Sequence, residues 1–383
     1  MKNAQTTKVI VCTFLVIIII GCHQNKPYHS DILSFTVDIK TKETTIFEDF
    51  FDLDKMSIIQ FADERPLFLS DNLQIEFAEN YIFVFDKGNV QLYRFDRTGN
   101  LINKIGRSGK GPAEYANAGF FSINQNQSTL NILCDNGSAI MVYDFEGKLI
   151  KKFATPLIAT SFDCINSNLY YYYTGYHNSP NSHRLHKADS VKILESYLPI
   201  QTQALDMIEM NFTHRGEIGY FRETFFPSVY KYDSDGIQEI FKMAFGDCEI
   251  TQKRLEKVQD PLDFFQEIKK NGFCSTTSVV AGKDQIYVVA IHQKQLAHHF
   301  FHFHINLADS AYTRVIDYPR GQNEKNVLRH LKPVYLDSED NMYFVANPIN
   351  LEGFLKTEPA LPKGLKSNEN LNPFVLLLPL NSN

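Results

Sequence analysis

Apolar and polar positions along this chain fall into short alternating runs broken by tight polar turns, a period-2 pattern that predicts strands rather than helices. The stretch from Tyr81 reads YIFVFDKGNVQLYRFDRTGNLINKI, and the stretch from Leu130 reads LNILCDNGSAIMVYDFEGKLIKKF. Each holds an apolar run closed by an aspartate (Asp86, Asp135), a Gly-Asn or Asn-Gly turn, a second run, an Asp-x-x-Gly turn and a third run. The Asp-x-x-Gly turns at 96–99 and 144–147 lie 48 residues apart. Weaker copies begin at Leu169, Val229, Ile286 and Met342; residues 233–236 repeat the turn, and Asp189 and Asp309 hold similar places without its glycine. A period in the forties built from short strands and hairpin turns predicts an all-β fold, a six-bladed β-propeller, because one twisted blade cannot bury both faces and must stack with neighbours around an axis. A two-sheet sandwich needs the alternation but leaves the repeat unexplained.

Two runs, 57–61 and 374–378, have no partners in their own local repeats, and together they would complete one blade from the two ends of the chain and close the ring. Other segments depart from the repeat. Asp260-Pro261 followed by LDFFQEIKKNG carries an N-cap, a proline at the first helical position, apolar Leu262, Phe265 and Ile268 at helical spacing, and a stop at Gly272. That predicts a helix, preceded by another over 251–258, in an insertion at about 250–273. Residues 323–331 read as weakly helical, and 203–226 read as a long irregular connection.

Ahead of the repeats, Lys2 and Lys8 precede an apolar run over 9–20 that ends in Ile19-Ile20-Gly21-Cys22. A basic start, an apolar stretch of this length and a small residue before the cut describe a secretory signal. The four closing residues resemble the lipobox of bacterial lipoproteins, which makes Cys22 the acylated first residue of the mature chain. An ordinary signal peptide, or an anchor short for a membrane, is the alternative. The expected organisation is a signal at 1–21, a tether and lead-in at 22–45, and one propeller domain at 46–383. The net charge of −6 becomes −8 once Lys2 and Lys8 leave with the signal, and with no basic stripe the chain is not expected to bind nucleic acid. Cys134, Cys164, Cys248 and Cys274 follow Cys22 without a Cys-x-x-Cys pair; this leaves a disulfide open, speaks against a zinc cluster and makes Cys134 a buried free thiol.

The segment Ile105-Gly106-Arg107-Ser108-Gly109-Lys110-Gly111-Pro112-Ala113-Glu114-Tyr115, placed after a Phe-Asp-x-x-Gly hairpin, resembles the signature of six-bladed β-propeller lipoproteins of Bacteroides-like bacteria, propellers of NHL or TolB type. Lipobox, length and lead-in are similar too, so the resemblance spans nearly all of the mature chain. Gly-Pro-Ala-Glu stands here where that family has Gly-Pro-Gly-Glu, and alanine does not suit a position that needs positive φ. The resemblance implies a propeller in the cell envelope without implying one reaction; the His-Gln-Asn-Lys that follows Cys22, lacking the acidic cluster of many surface-exported lipoproteins, favours an outer-membrane lipoprotein facing the periplasm over one on the surface.

Candidate chemistry lies in three places. The glycines of 106–115 could offer backbone N–H groups to an anion, with Arg107, Lys110, Glu114 and Tyr115 as ligand contacts; the competing reading is a crossing between blades made of residues that permit tight turns. His302 and His304 share strand parity with His298 and His292, a His-x-His pair that would bind a divalent metal if a third ligand approached; Phe301, Phe303 and Ile305 would then be the buried side and the histidines the solvated one. Asn80, Thr129, Asn168, Ser228, Gln285 and Asn341, preceded in three cases by Glu79, Asp284 and Asp340, stand before what read as the innermost strands, where a channel calcium would sit. The chain has no Trp and no Gly-x-Ser-x-Gly, His-Glu-x-x-His or Ser-x-x-Lys pattern, so tryptophan-docked repeats and covalent or zincin mechanisms have no support. The expected function is a non-catalytic binding or scaffold module, tethered to a membrane by its lipid, for an envelope protein, peptide or glycan, with no cofactor. The alternative is a metal-dependent, lactonase-like hydrolase using calcium or zinc in the central channel.

Overall fold

Alternating runs become strands, and the strands assemble as six sheets of at least four strands each. A computed structural model describes residues 34–62, 66–175, 182–200, 210–256, 258–295, 297–317, 327–348 and 372–381. The expected signal at 1–21 and Cys22 lie outside the described residues. Blade 1 runs Leu73–Phe77, Tyr81–Asp86, Gln91–Asp96 and Leu101–Ile105 from the axis outwards. The innermost strands of blades 2 to 6 are Phe120–Asn124, Ser161–Asn166, Phe212–Arg215, Phe273–Ala281 and Lys332–Leu336.

Six hydrophobic clusters hold the ring, one between each pair of neighbouring blades. Successive residues of a strand point to opposite faces of its sheet, and here each face meets another blade. The run Tyr170 to Tyr173 shows the result: Tyr170 and Tyr172 pack towards blade 2, and Tyr171 and Tyr173 towards blade 4. All four tyrosines are therefore buried. A seventh cluster, Phe225, Ile250, Leu255 and Phe264, fixes the insertion.

The ring closes as expected. Phe374–Pro379 pairs with Ser57–Gln60, which becomes the outermost strand of blade 6. The lead-in does more than tether: Phe35–Asp38 adds in parallel to blade 4, and Thr44–Ile46 adds in parallel to blade 5. The Asp-x-x-Gly hairpins behave as read, with Asp96 Oδ1 accepting from the amides of Thr98 and Asn100 and Gly99 at φ 95°.

Three expectations are corrected. Residues 203–226 are not an irregular connection throughout, because they contain the two inner strands of blade 4, Phe212–Arg215 and Ile218–Arg222. The helix forms over Pro261–Asn271, with Asp260 as N-cap, but it buries Phe264 while Leu262 and Phe265 stay exposed; its companion is short, Gln252–Leu255. Within 323–331 the described residues hold a single 3-10 turn, Leu328–His330, and residues 323–326 lie outside them. Cys248 and Cys274 form a disulfide that ties the insertion to blade 5, while Cys134 and Cys164 are buried free thiols.

Alternation of strand direction sorts the connections by face. The turns from first to second and from third to fourth strand, including the Asp-x-x-Gly hairpins, lie on one face, where the innermost strands end. The crossings between blades, the 106–115 loop and the helical insertion lie on the other, which we call the loop face.

Candidate functional site in the central channel

The strands that read as innermost are one position further out. Asn80 and Asn168 precede second strands, Thr129, Gln285 and Asn341 begin second strands, and Ser228 begins a third. The true inner strands enclose an axial cavity of about 220 Å3, lined by residues of all six blades. Glu76 of blade 1, Asp163 of blade 3 and His214 of blade 4 all reach it.

These side chains answer a backbone problem. The free edge of each inner strand presents N–H and C=O groups that water cannot fully reach, and buried groups of this kind need partners. Gln74 serves the edge of blade 2 with both ends of its amide, donating to the Phe121 carbonyl at 2.7 Å and accepting from the Phe121 amide at 3.2 Å. One residue pair on, the Ile123 amide donates to Glu76 and the Ile123 carbonyl accepts from His214. Ser122 Oγ accepts from the Cys164 amide at 3.1 Å and donates to Asp163 Oδ1 at 2.6 Å. Tyr232 donates to Asp163 Oδ2 at 2.7 Å, and His214 Nδ1 lies 3.0 Å from Asp163 Oδ1.

Electrostatics follow from this wiring. Burial alone would raise the Asp163 carboxyl, but His214, Ser122 and Tyr232 hold it down at about 2. Burial works against an imidazolium, yet Asp163, with Glu76 beyond it, lifts His214 to about 9. Near neutral pH the pair is ionised, with both ring nitrogens of His214 acting as donors. Glu76 is the odd member. Burial pushes its carboxyl up to about 7; His214 opposes the shift, Asp163 adds to it, and Gln74 donates to Oε1 at 2.6 Å.

Towards the loop face the channel turns positive. Lys87 places its ammonium 3.5 Å from the centroid of Phe120, and burial with the nearby Lys332 charge brings it down to about 7. Lys332 is surrounded by protein yet retains contact with solvent, as a lumen residue does, and its pKa is lowered by that enclosure and by Arg222. Behind them Arg184 and Glu223 form a buried bidentate pair at 2.6 and 2.8 Å.

The sequence-predicted residues lie elsewhere. Arg107 and Glu114 meet each other, with Arg107 Nε donating at 2.6 Å, and Glu114 Oε2 accepts from the Gly111 amide at 2.8 Å. A Cβ at Gly109 would collide with that carboxylate, so the glycine-rich nest already holds an anion of its own. Tyr115 is fully buried; its hydroxyl accepts from the Leu92 amide and donates to the Ile105 carbonyl. Lys110 is on the same loop. We expect Tyr115→Phe to cost about 1–3 kcal/mol, since it leaves the Leu92 amide buried without an acceptor, and Lys110→Ala to leave the denaturation midpoint unchanged. Equal effects of the two variants would show that the loop does not anchor the crossing between blades 1 and 2.

His302 is not on a solvated side, because blade faces have none at this depth: it is buried, with Nδ1 3.2 Å from the Tyr287 hydroxyl. His304 is bonded to Gln285 at 2.5 Å. Among the described residues the one group of three metal-ligating side chains with ligand atoms close together is Cys248, Cys274 and His292, and its two sulfurs are joined. The channel residues Glu76, Asp163, His214 and Arg215 escaped sequence reading, for the only signal was three consecutive polar residues, Thr213 to Arg215, in a stretch without alternation.

Fold and channel together define a six-bladed β-propeller whose axis holds an ionised, hydrogen-bonded network. The chain belongs to the DUF4934 family, a domain of unknown function, whose model matches residues 31–379. No curated protein matches the sequence. Among solved structures it is similar to the exported protein BF0058 of Bacteroides fragilis, with TM-score 0.69 and 14% identity over 91% of this chain and 100% of that one. It is also similar to a member of the DUF4221 family from Bacteroides vulgatus, with TM-score 0.51 and 10% identity over 87% of this chain and 100% of that one. At such identities the likeness is one of fold.

Proposed function

We propose that this protein is an envelope lipoprotein, acylated at Cys22, whose propeller is a non-catalytic binding module for a peptide or protein. The observation that carries the reading is the axial cavity. All six blades contribute to its walls, and the ionised pair Asp163 and His214 is committed to itself and to Ser122, Tyr232 and Ile123. Groups so saturated hold a shape and a potential rather than exchanging protons with a substrate. The exported Bacteroides neighbour supports an envelope or secreted setting, and the lipobox-like Ile19-Ile20-Gly21-Cys22 supports the anchor.

Two outcomes test it. Cys22→Ala is expected to move the protein from the detergent phase to the aqueous phase, and unchanged partitioning would sink the anchor. Envelope extract separated into peptide and glycan pools is expected to raise the melting temperature with the peptide pool alone, since a ligand that binds only the native state stabilises it. Recovery of those peptides with altered masses would make the protein an enzyme instead.

A further inference from the structure

Arg215 closes the inner strand of blade 4 and lines the axial cavity at its turn-face end. Its Nη1 is sealed from solvent and has no hydrogen-bond partner, and no carboxylate forms an ion pair with its side chain among the described residues. A guanidinium is always charged and presents a planar fork of donors that matches an oxyanion. Arg215 is partly exposed, but leaving one of its donors sealed and without a partner is unfavourable. The acids nearby do not relieve it: Asp163 is held by His214, Ser122 and Tyr232, and Glu76 is bonded to Gln74 and Ile123. At this end of the cavity the lining combines apolar Phe77, Val280, Ala281 and Tyr335 with polar Gln125.

Resting on the binding reading above, we propose that this end of the channel recognises the C-terminal residue of a peptide, the free carboxylate on Arg215 and an apolar side chain against Phe77, Val280 and Tyr335. A cavity of about 220 Å3 suits an end group rather than a whole ligand. The apolar part of the lining, Phe77, Val280, Ala281 and Tyr335, is what favours an apolar amino acid over an acidic sugar at this end of the cavity.

The test uses the full chain in detergent and four probes: the tripeptide Ac-Ala-Ala-Leu with a free C-terminus, its C-terminal amide, glucuronate and inorganic phosphate. Saturable calorimetric binding of the free acid is expected, weakened roughly tenfold or more by amidation and by Arg215→Gln, the worth of a charged hydrogen bond. Arg215→Lys, which keeps charge without the fork, should fall between. An unliganded melting temperature equal to or above wild type shows that Arg215→Gln folds. Equal binding of acid and amide, undiminished binding by Arg215→Gln, tighter binding of glucuronate or phosphate, or no binding of any probe would each overturn the assignment. If the peptide pool stabilises the wild type while the free acid does not bind, the carboxylate assignment falls and the binding module stands; if neither acts, both fall.

Discussion

Asp163→Ala is expected to destabilise the propeller by about 3–5 kcal/mol, the usual result of removing one partner from a buried ion pair. The variant strands His214, Ser122 and Tyr232 in the wall of the channel, each of which now bonds the lost carboxylate. The response to pH should change as well. In the wild type, Asp163 has a folded pKa of about 2, below its ordinary 3.8, so its stabilisation is complete above that ordinary value and lost as pH falls through about 2. His214 has a folded pKa of about 9, above its ordinary 6.5, so its stabilisation is complete below pH 6.5 and lost as pH rises through 9. Without Asp163 burial works unopposed by its main partner, and the decline between pH 6.5 and 9 should largely vanish. Denaturation midpoints at intervals across that range measure both effects. A loss under about 1 kcal/mol, or an unchanged alkaline decline, would mean that the pair is not the electrostatic centre of the channel.

Glu76→Gln should act in the opposite direction, raising stability by about 1–3 kcal/mol above pH 7 and leaving it unchanged below pH 4. Glu76 is an acid whose folded pKa, about 7, lies above its ordinary 4.5. Folding therefore favours its protonated form, and stability falls as pH rises from about 4.5 to 7, after which the deficit is constant. Glutamine imitates the protonated carboxyl and can still accept from Ile123. The side chain keeps some exposure to the cavity, which places the gain below the full value of the shift. Should Glu76→Gln be less stable than wild type at pH 8, the carboxylate would be a structural brace. A gain would identify it as a group kept at the expense of stability, as residues serving a ligand commonly are.

Fold and site were legible to different degrees, for one physical reason. Tyr81 to Phe85 and Leu130 to Cys134 lie between two neighbouring blades, so their apolar character is strong and the repeat was visible. Thr213, His214 and Arg215 face a lumen and carry no alternation, which hid the inner strands of blade 4 and shifted the apparent axis by one strand. The same geometry misplaced His302 and His304: period 2 separates the faces of a strand correctly, but it cannot tell that both faces meet protein. The 106–115 segment was conspicuous because glycine and proline are conspicuous. Its charges instead close on themselves through Arg107 and Glu114. The disulfide was invisible because pairing depends on the blade 5 strand and the insertion meeting in space, not on the spacing of Cys248 and Cys274.

The N-terminal segment follows the outer rim of three successive blades, adding Phe35–Asp38 to blade 4, Thr44–Ile46 to blade 5 and Ser57–Gln60 to blade 6. It works as a belt. Tension arriving from an anchored N-terminus would load the two parallel additions first and lengthwise, where hydrogen bonds resist shear together instead of opening one at a time. The strand that clasps the ring comes last in that sequence, so the six blades would stay closed under a pull that had already strained the belt.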